Sequence, residues 1–87
     1  MTGRALVAWN LRRIRVKHGI SQERLAFDAG VDRSYVGGLE RQEENPTVDV
    51  LDRLAVTLEV PISELFKRPR TGAKRPKPLR SGRRARK

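Results

Sequence analysis

Charge is distributed so unevenly along this 87-residue chain that only part of it can build a core. Residues 1–66 hold nine Lys/Arg and all ten Asp/Glu, whereas residues 67–87 hold eleven Lys/Arg and no acid. That closing stretch, KRPRTGAKRPKPLRSGRRARK, carries three prolines and two glycines, and Leu79 is its one large aliphatic residue. It cannot bury enough apolar surface to offset the entropy of ordering it, so it is expected to be disordered. Any fold must therefore come from residues 1–66. A dense block of cations seeks polyanions: nucleic acid first, an anionic membrane or an acidic protein second.

Several function classes have little to stand on. With no cysteine there is no disulfide and no cysteine-based metal site. No apolar run is long enough to span a membrane. The opening MTGRALVAWNLRR lacks the apolar stretch and cleavage site of a secretory leader, so a cytoplasmic location is expected. His18 is the single histidine, and the glycine pair in VGGLE lacks the Lys-Ser/Thr of a phosphate-cradling loop. Neither an enzyme nor a cofactor is expected, and no small-molecule effector site is indicated.

Residues 1–66 read as helical throughout, with no period-2 strand. Val7, Leu11, Ile14 and His18 share one stripe of a first helix running from about residue 4 to His18, where Gly19 ends it. Ser21 is placed to cap a second helix reaching about Ala29, with Leu25 and Ala26 inward and Gly30 as terminator. Asp32 caps a third, seated through Val36 and Leu39. Thr47 caps a fourth, in which Leu51, Leu54, Ala55 and Leu58 make an apolar face. Pro61 opens a short fifth ending near Phe66. The expected fold is all-α: a five-helix domain over residues 1–66 followed by a disordered polybasic tail, 67–87. A core this small gains from association, so a homodimer is expected.

Within it, SQERLAFDAGVDRSYVGGLE meets the demands of a helix-turn-helix. Ala26 is small where two helices cross, Gly30 permits the sharp reversal, and Val31 plugs the gap between them. The chain resembles the lambdoid phage repressor and Cro type of helix-turn-helix domain, the XRE type. NLRRIR, GISQERLA, AGVDRSYVGGLE, NPTVDVLDRLA and VPISELF carry the likeness, over about residues 6–66. The resemblance implies a lambda-repressor-like fold and a transcription regulator binding double-stranded DNA. It implies that Gln22, at the start of the second helix and beside the cap Ser21, lies against a phosphate. Arg33 and Ser34 would point at base edges, and Gly38 stands where relatives often carry a long base-reading side chain. Asn45 and the start of the fourth helix at Thr47 would meet the DNA backbone. Arg15 and Glu40 match a pair that forms an internal ion pair in some relatives.

Four positions depart from that pattern. Gln42 stands where a glycine usually caps the third helix, which predicts a longer or strained turn. Glu43 and Glu44 replace cations, and Arg24 replaces the acid that would complete a capping box with Ser21.

Two adjacent glycines in one short helix also call for a reason, since each costs roughly 0.8–1 kcal/mol relative to Ala. With Arg33 at zero and about 100° per residue, Val36 and Leu39 fall near 300° and 240°; Ser34, Gly37, Gly38 and Arg41 fall near 100°, 40°, 140° and 80°. Both glycines are thus expected on the outward face. There, removing side-chain bulk would let the backbone lie deep in a major groove, with Arg33 reaching guanine and Arg41 meeting phosphate; the alternative is an exposed face that reads little and simply tolerates glycine. Gly38→Ala is expected to stabilise the helix by up to ~1 kcal/mol. Tyr35 is expected either to touch phosphate or to flank the core. The expected function is sequence-specific DNA binding as a homodimer. The alternatives are an interaction module, such as an antitoxin gripping an acidic partner, or a nonspecific nucleic-acid binder driven by the tail.

Overall fold

The structure, a computed structural model, describes residues 1–70. Among them are four α-helices and no strand: α1 (Gly3–Lys17), α2 (Gln22–Ala29), α3 (Arg33–Glu40) and α4 (Val48–Thr57), then a 3-10 helix (Ile62–Phe66). The expectations for residues 71–87, including their disorder, lie outside the described residues.

Every α-helix starts on a hydroxyl or carboxylate cap. Thr2, Ser21 and Thr47 accept the backbone N–H of Ala5, Arg24 and Val50 at 3.0–3.1 Å, and Asp32 accepts that of Ser34 at 3.0 Å. Each cap satisfies one of the donors a helix start leaves unpaired. The ends are equally uniform. After α1, the N–H of Ile20 reaches back to the Arg15 carbonyl at 3.2 Å; Val31 to Ala26, Glu43 to Gly38 and Val60 to Ala55 do the same at 3.0, 2.8 and 3.0 Å. The residue that lets the chain reverse sits at positive φ in each case: Gly19 and Gly30 at 71°, Gln42 at 64° and Glu59 at 59°. The strained turn expected at Gln42 is therefore real: an L-residue occupies a backbone region that glycine enters without steric cost.

The first three inward stripes are where the sequence places them. Val7, Leu11 and Ile14 of α1, Leu25 and Ala26 of α2, and Val36 and Leu39 of α3 are buried together. Leu51, Leu54, Ala55 and Leu58 from α4 and its C-cap, with Leu65, complete the core. α3 packs on both α1 and α2, α4 packs on α2, and the 3-10 helix closes over α1 and α4. His18 departs from the expected stripe: it is an exposed C-cap, with its ring Nδ1 2.9 Å from the Ile14 carbonyl.

The fifth element is not an α-helix. Pro61 has no N–H, the segment is five residues long, and Lys67 is already extended. A buried asparagine also takes the Leu65 carbonyl. Asn10 is 1% exposed, and its amide donates to Leu6, Leu65 and Lys67 carbonyls at 3.0, 3.1 and 2.8 Å. Its side-chain oxygen accepts from Arg13 Nε at 3.1 Å. One side chain thus ties the end of the domain to its first helix.

Candidate nucleic-acid interface

α3 presents its inner edge to the core and its outer edge to solvent. Val36 is fully buried and Leu39 is 2% exposed, while Asp32, Arg33, Ser34 and Arg41 are exposed. Arg33 and Ser34 lie in the first turn of α3. The Arg33 guanidinium is 3.9 Å from Glu23 of α2, with both side chains mostly exposed; such a pair is worth little and is easily exchanged for another anion. The Ser34 hydroxyl donates to Asp32, which also takes the Ser34 N–H. These two bonds from Ser34, and then the nearby Arg33 charge, hold the Asp32 carboxyl below its ordinary value. Tyr35 is half-buried against the core cluster; burial, then the Glu44 charge, pushes its phenol above its ordinary value.

A charged network fixes how α3 meets α1 and α2. Glu40 is 1% exposed and receives four hydrogen bonds. Arg15 Nε and Nη2 donate to its two oxygens at 2.7 and 2.9 Å, and Arg12 Nε and Gln22 Nε2 add bonds of 3.1 Å each. Arg15 spends a further donor on the Ile20 carbonyl at 2.9 Å, tying the turn after α1 into the same cluster. Burial alone would raise the Glu40 pKa, but the donors from Arg15, Gln22 and Arg12 outweigh it and hold the carboxyl below its ordinary 4.5. The Arg15–Glu40 pair is the one the resemblance implies. Arg12 and Gln22 as further partners escaped the sequence reading. For Gln22 the consequence is direct, since the side chain expected at a phosphate is held by α3's own glutamate.

The α2 and α4 starts lie open. Ser21, Asn45 and Thr47 are exposed, and Gln22 is half-buried. Ser21 and Thr47 use a hydroxyl oxygen as acceptor in capping, which leaves their O–H groups available to donate. Arg24, where a capping-box acid would be, instead pairs with Asp28 one turn on, at 2.9 Å. Arg41 is exposed and pairs with Glu43 at 3.0 Å.

The two glycines need a correction. They lie on the outward edge of α3, yet both are buried. What covers them is side chain, not core. A Cβ on Gly37 would meet Arg41 Nη1 at 3.0 Å and Gln22 Oε1 at 3.5 Å. A Cβ on Gly38 would meet Glu44 Cγ at 2.7 Å and Oε2 at 2.9 Å. The helical wheel places residues within one helix correctly but is blind to the loop after it. The turn through Gln42 folds that loop back, so the expected open backbone is roofed by Arg41 and Glu44. The simple gain expected of Gly38→Ala is accordingly opposed by a clash with Glu44.

Capped helices joined by the Gly30 reversal, with α3 packed on α1 and α2 and its arginine edge outward, define a helix-turn-helix domain. The family profile HTH_3, described as Helix-turn-helix, matches residues 11–65, and the chain belongs to that family. A hypothetical transcription factor of Neisseria meningitidis is 40% identical over 63 residues, covering 72% of this chain and 59% of that protein. The structure of the restriction-modification controller protein C.AhdI from Aeromonas hydrophila superposes with a TM-score of 0.70 at 43% identity, covering 72% of this chain and 96% of that one. Controller protein C.Esp1396I, solved as a tetramer in complex with its natural 35-base-pair operator, matches with a TM-score of 0.66 at 31% identity, over 77% and 99% of the respective chains.

Proposed function

We propose that this chain is a transcription regulator that binds specific double-stranded DNA as a homodimer, with the Arg33–Arg41 edge of α3 in the major groove. The observation that carries this is the orientation of α3: its apolar edge is sealed in the core while Arg33, Ser34 and Arg41 face outward. Family membership and the operator-bound state of C.Esp1396I support the same reading. Arg33 is suited to guanine O6/N7, and Ser34 to either a donor or an acceptor on a base edge. Ser21, Asn45, Thr47 and Arg41 flank that edge and fix register on the phosphates, helped by the free N–H groups at the starts of α2 and α4, while Gln22 positions α3 through its bond to Glu40. Gly37 lets Arg41 and Gln22 close over the helix. Two such edges in a dimer meet successive grooves, with half-sites about 34 Å, or ~10 bp, apart.

The polycationic segment acts as an electrostatic arm, adding affinity by counterion release without adding sequence preference. The test is selection from a random duplex pool with the full chain and with a chain ending at Arg70. Asn10 holds the Lys67 carbonyl at 2.8 Å, so the cut must leave that residue in place. Both proteins should enrich the same motif. The shorter one should bind more weakly, with a salt dependence shallower by about 0.9 in log–log slope for each phosphate that the arm no longer neutralises. Enrichment that disappears with the arm would overturn the proposal in favour of nonspecific binding.

A further inference from the structure

Gly38 has no side chain with which to read DNA, and the space a residue-38 side chain would fill is occupied. The Glu44 chain lies there, with its Cγ, Oε2 and Cδ at 2.7, 2.9 and 3.3 Å from the point where a Gly38 Cβ would stand. The backbone brings it there. Gln42 at φ 64° reverses the chain, and the Glu43 N–H closes the turn on the Gly38 carbonyl at 2.8 Å. Neighbouring Glu43 is turned away to Arg41, while among the described residues no hydrogen bond or ion pair engages the Glu44 carboxylate. It is a half-exposed, acceptor-only group on the outward edge of the helix.

We infer that Glu44 is a specificity-determining residue which, seated over Gly38, accepts a hydrogen bond from the N4 amino group of a cytosine in the major groove. The inference rests on the DNA-reading proposed above. A carboxylate on this edge has few uses. Phosphates repel it, and the acceptors N7, O6 and O4 offer it nothing. The donors that a base pair shows in the major groove are the exocyclic amines, of which cytosine N4 is the natural partner of Glu or Asp. Gly38 makes this possible, because any larger residue there would displace Glu44. The side chain missing from α3 is thus supplied by the loop that follows it.

The experiment is selection from a random duplex pool with full-length protein, followed by titration of single-base variants of the enriched site, for wild type, Glu44→Gln, Glu44→Ala and Gly38→Ala. Far-UV circular dichroism establishes that each variant is folded; the two Glu44 variants change a surface side chain and keep the test valid should Gly38→Ala fold poorly. In wild type, one column of each half-site should hold cytosine. Glu44→Gln should move that column toward adenine, the base whose N6 and N7 match an amide. Glu44→Ala and Gly38→Ala should flatten it, with discrimination there falling at least about fivefold and the other columns unchanged. An enriched motif that is the same in all four proteins, including one bound uniformly tighter once the charge is removed, overturns the assignment alone. A wild-type pool with no enriched motif overturns the DNA-reading itself and the assignment with it.

Discussion

Glu40→Gln tests how the recognition helix is held. The substitution keeps the side chain's shape and one carbonyl acceptor but removes the charge that four donors from Arg12, Arg15 and Gln22 surround. Arg12 is 17% exposed and can turn toward water. Arg15 is 4% exposed and cannot. An amide N–H₂ in place of one carboxylate oxygen would also face an arginine donor. Leaving a buried charge without its partner costs about 3–5 kcal/mol. A folded unit of this size has on the order of 3–10 kcal/mol in all. The midpoint of thermal unfolding should therefore fall by roughly 12–40 °C, at about 4–8 °C per kcal/mol. Urea unfolding followed by far-UV circular dichroism measures the same loss directly. Arg12→Ala is the control and should cost about 1 kcal/mol or less, as a partly exposed member of the cluster. A Glu40→Gln loss below about 1 kcal/mol would refute the reasoning, because it would mean that Arg15 is not dependent on that carboxylate.

Two other outcomes follow from the same geometry. Gln42→Gly should raise stability by about 0.5–1 kcal/mol in urea melts, since relief of the left-handed strain exceeds the added freedom of the unfolded chain; an unchanged or lower midpoint would argue against strain at that turn. Acid should weaken the fold through Glu40. Its folded pKa lies below the ordinary 4.5, so its contribution is fully present above that value and is lost as pH falls through the depressed one. A thermal midpoint that holds down to about pH 5 and declines below 4.5 is expected, and one that rises on acidification would contradict the assignment.

Much of this architecture was legible because short polar residues and glycines announce themselves. Ser21, Asp32 and Thr47 could be read as caps, and Gly19 and Gly30 as terminators, because each does locally what only a few residue types can do. The Val36–Leu39 edge followed from helical spacing alone. What stayed hidden depended on distant parts of the chain or on conformations a residue type does not advertise. Gln42 stood out as strained because the resemblance expects glycine there, but nothing marks Glu59 as left-handed. Asn10 sits on the apolar stripe of α1 and could have been flagged as a buried polar group, yet its partners lie 55 and 57 positions away. Arg12 and Gln22 converge on Glu40 only once three helices are assembled. The roof over Gly38 comes from a loop that a wheel of α3 does not contain.

Base reading by α3 is tested most directly at Arg33. The measurement is the affinity of wild type and Arg33→Ala for the selected site, for every single-base variant of it and for a random duplex, all at one salt concentration. The expected result is a loss of about 1–3 kcal/mol on the selected site, with the preference relaxed at one guanine-bearing position of each half-site and nonspecific binding changed far less. A loss of the same factor on every sequence, or no loss at all, would contradict a helix α3 that places this side chain against the base edges.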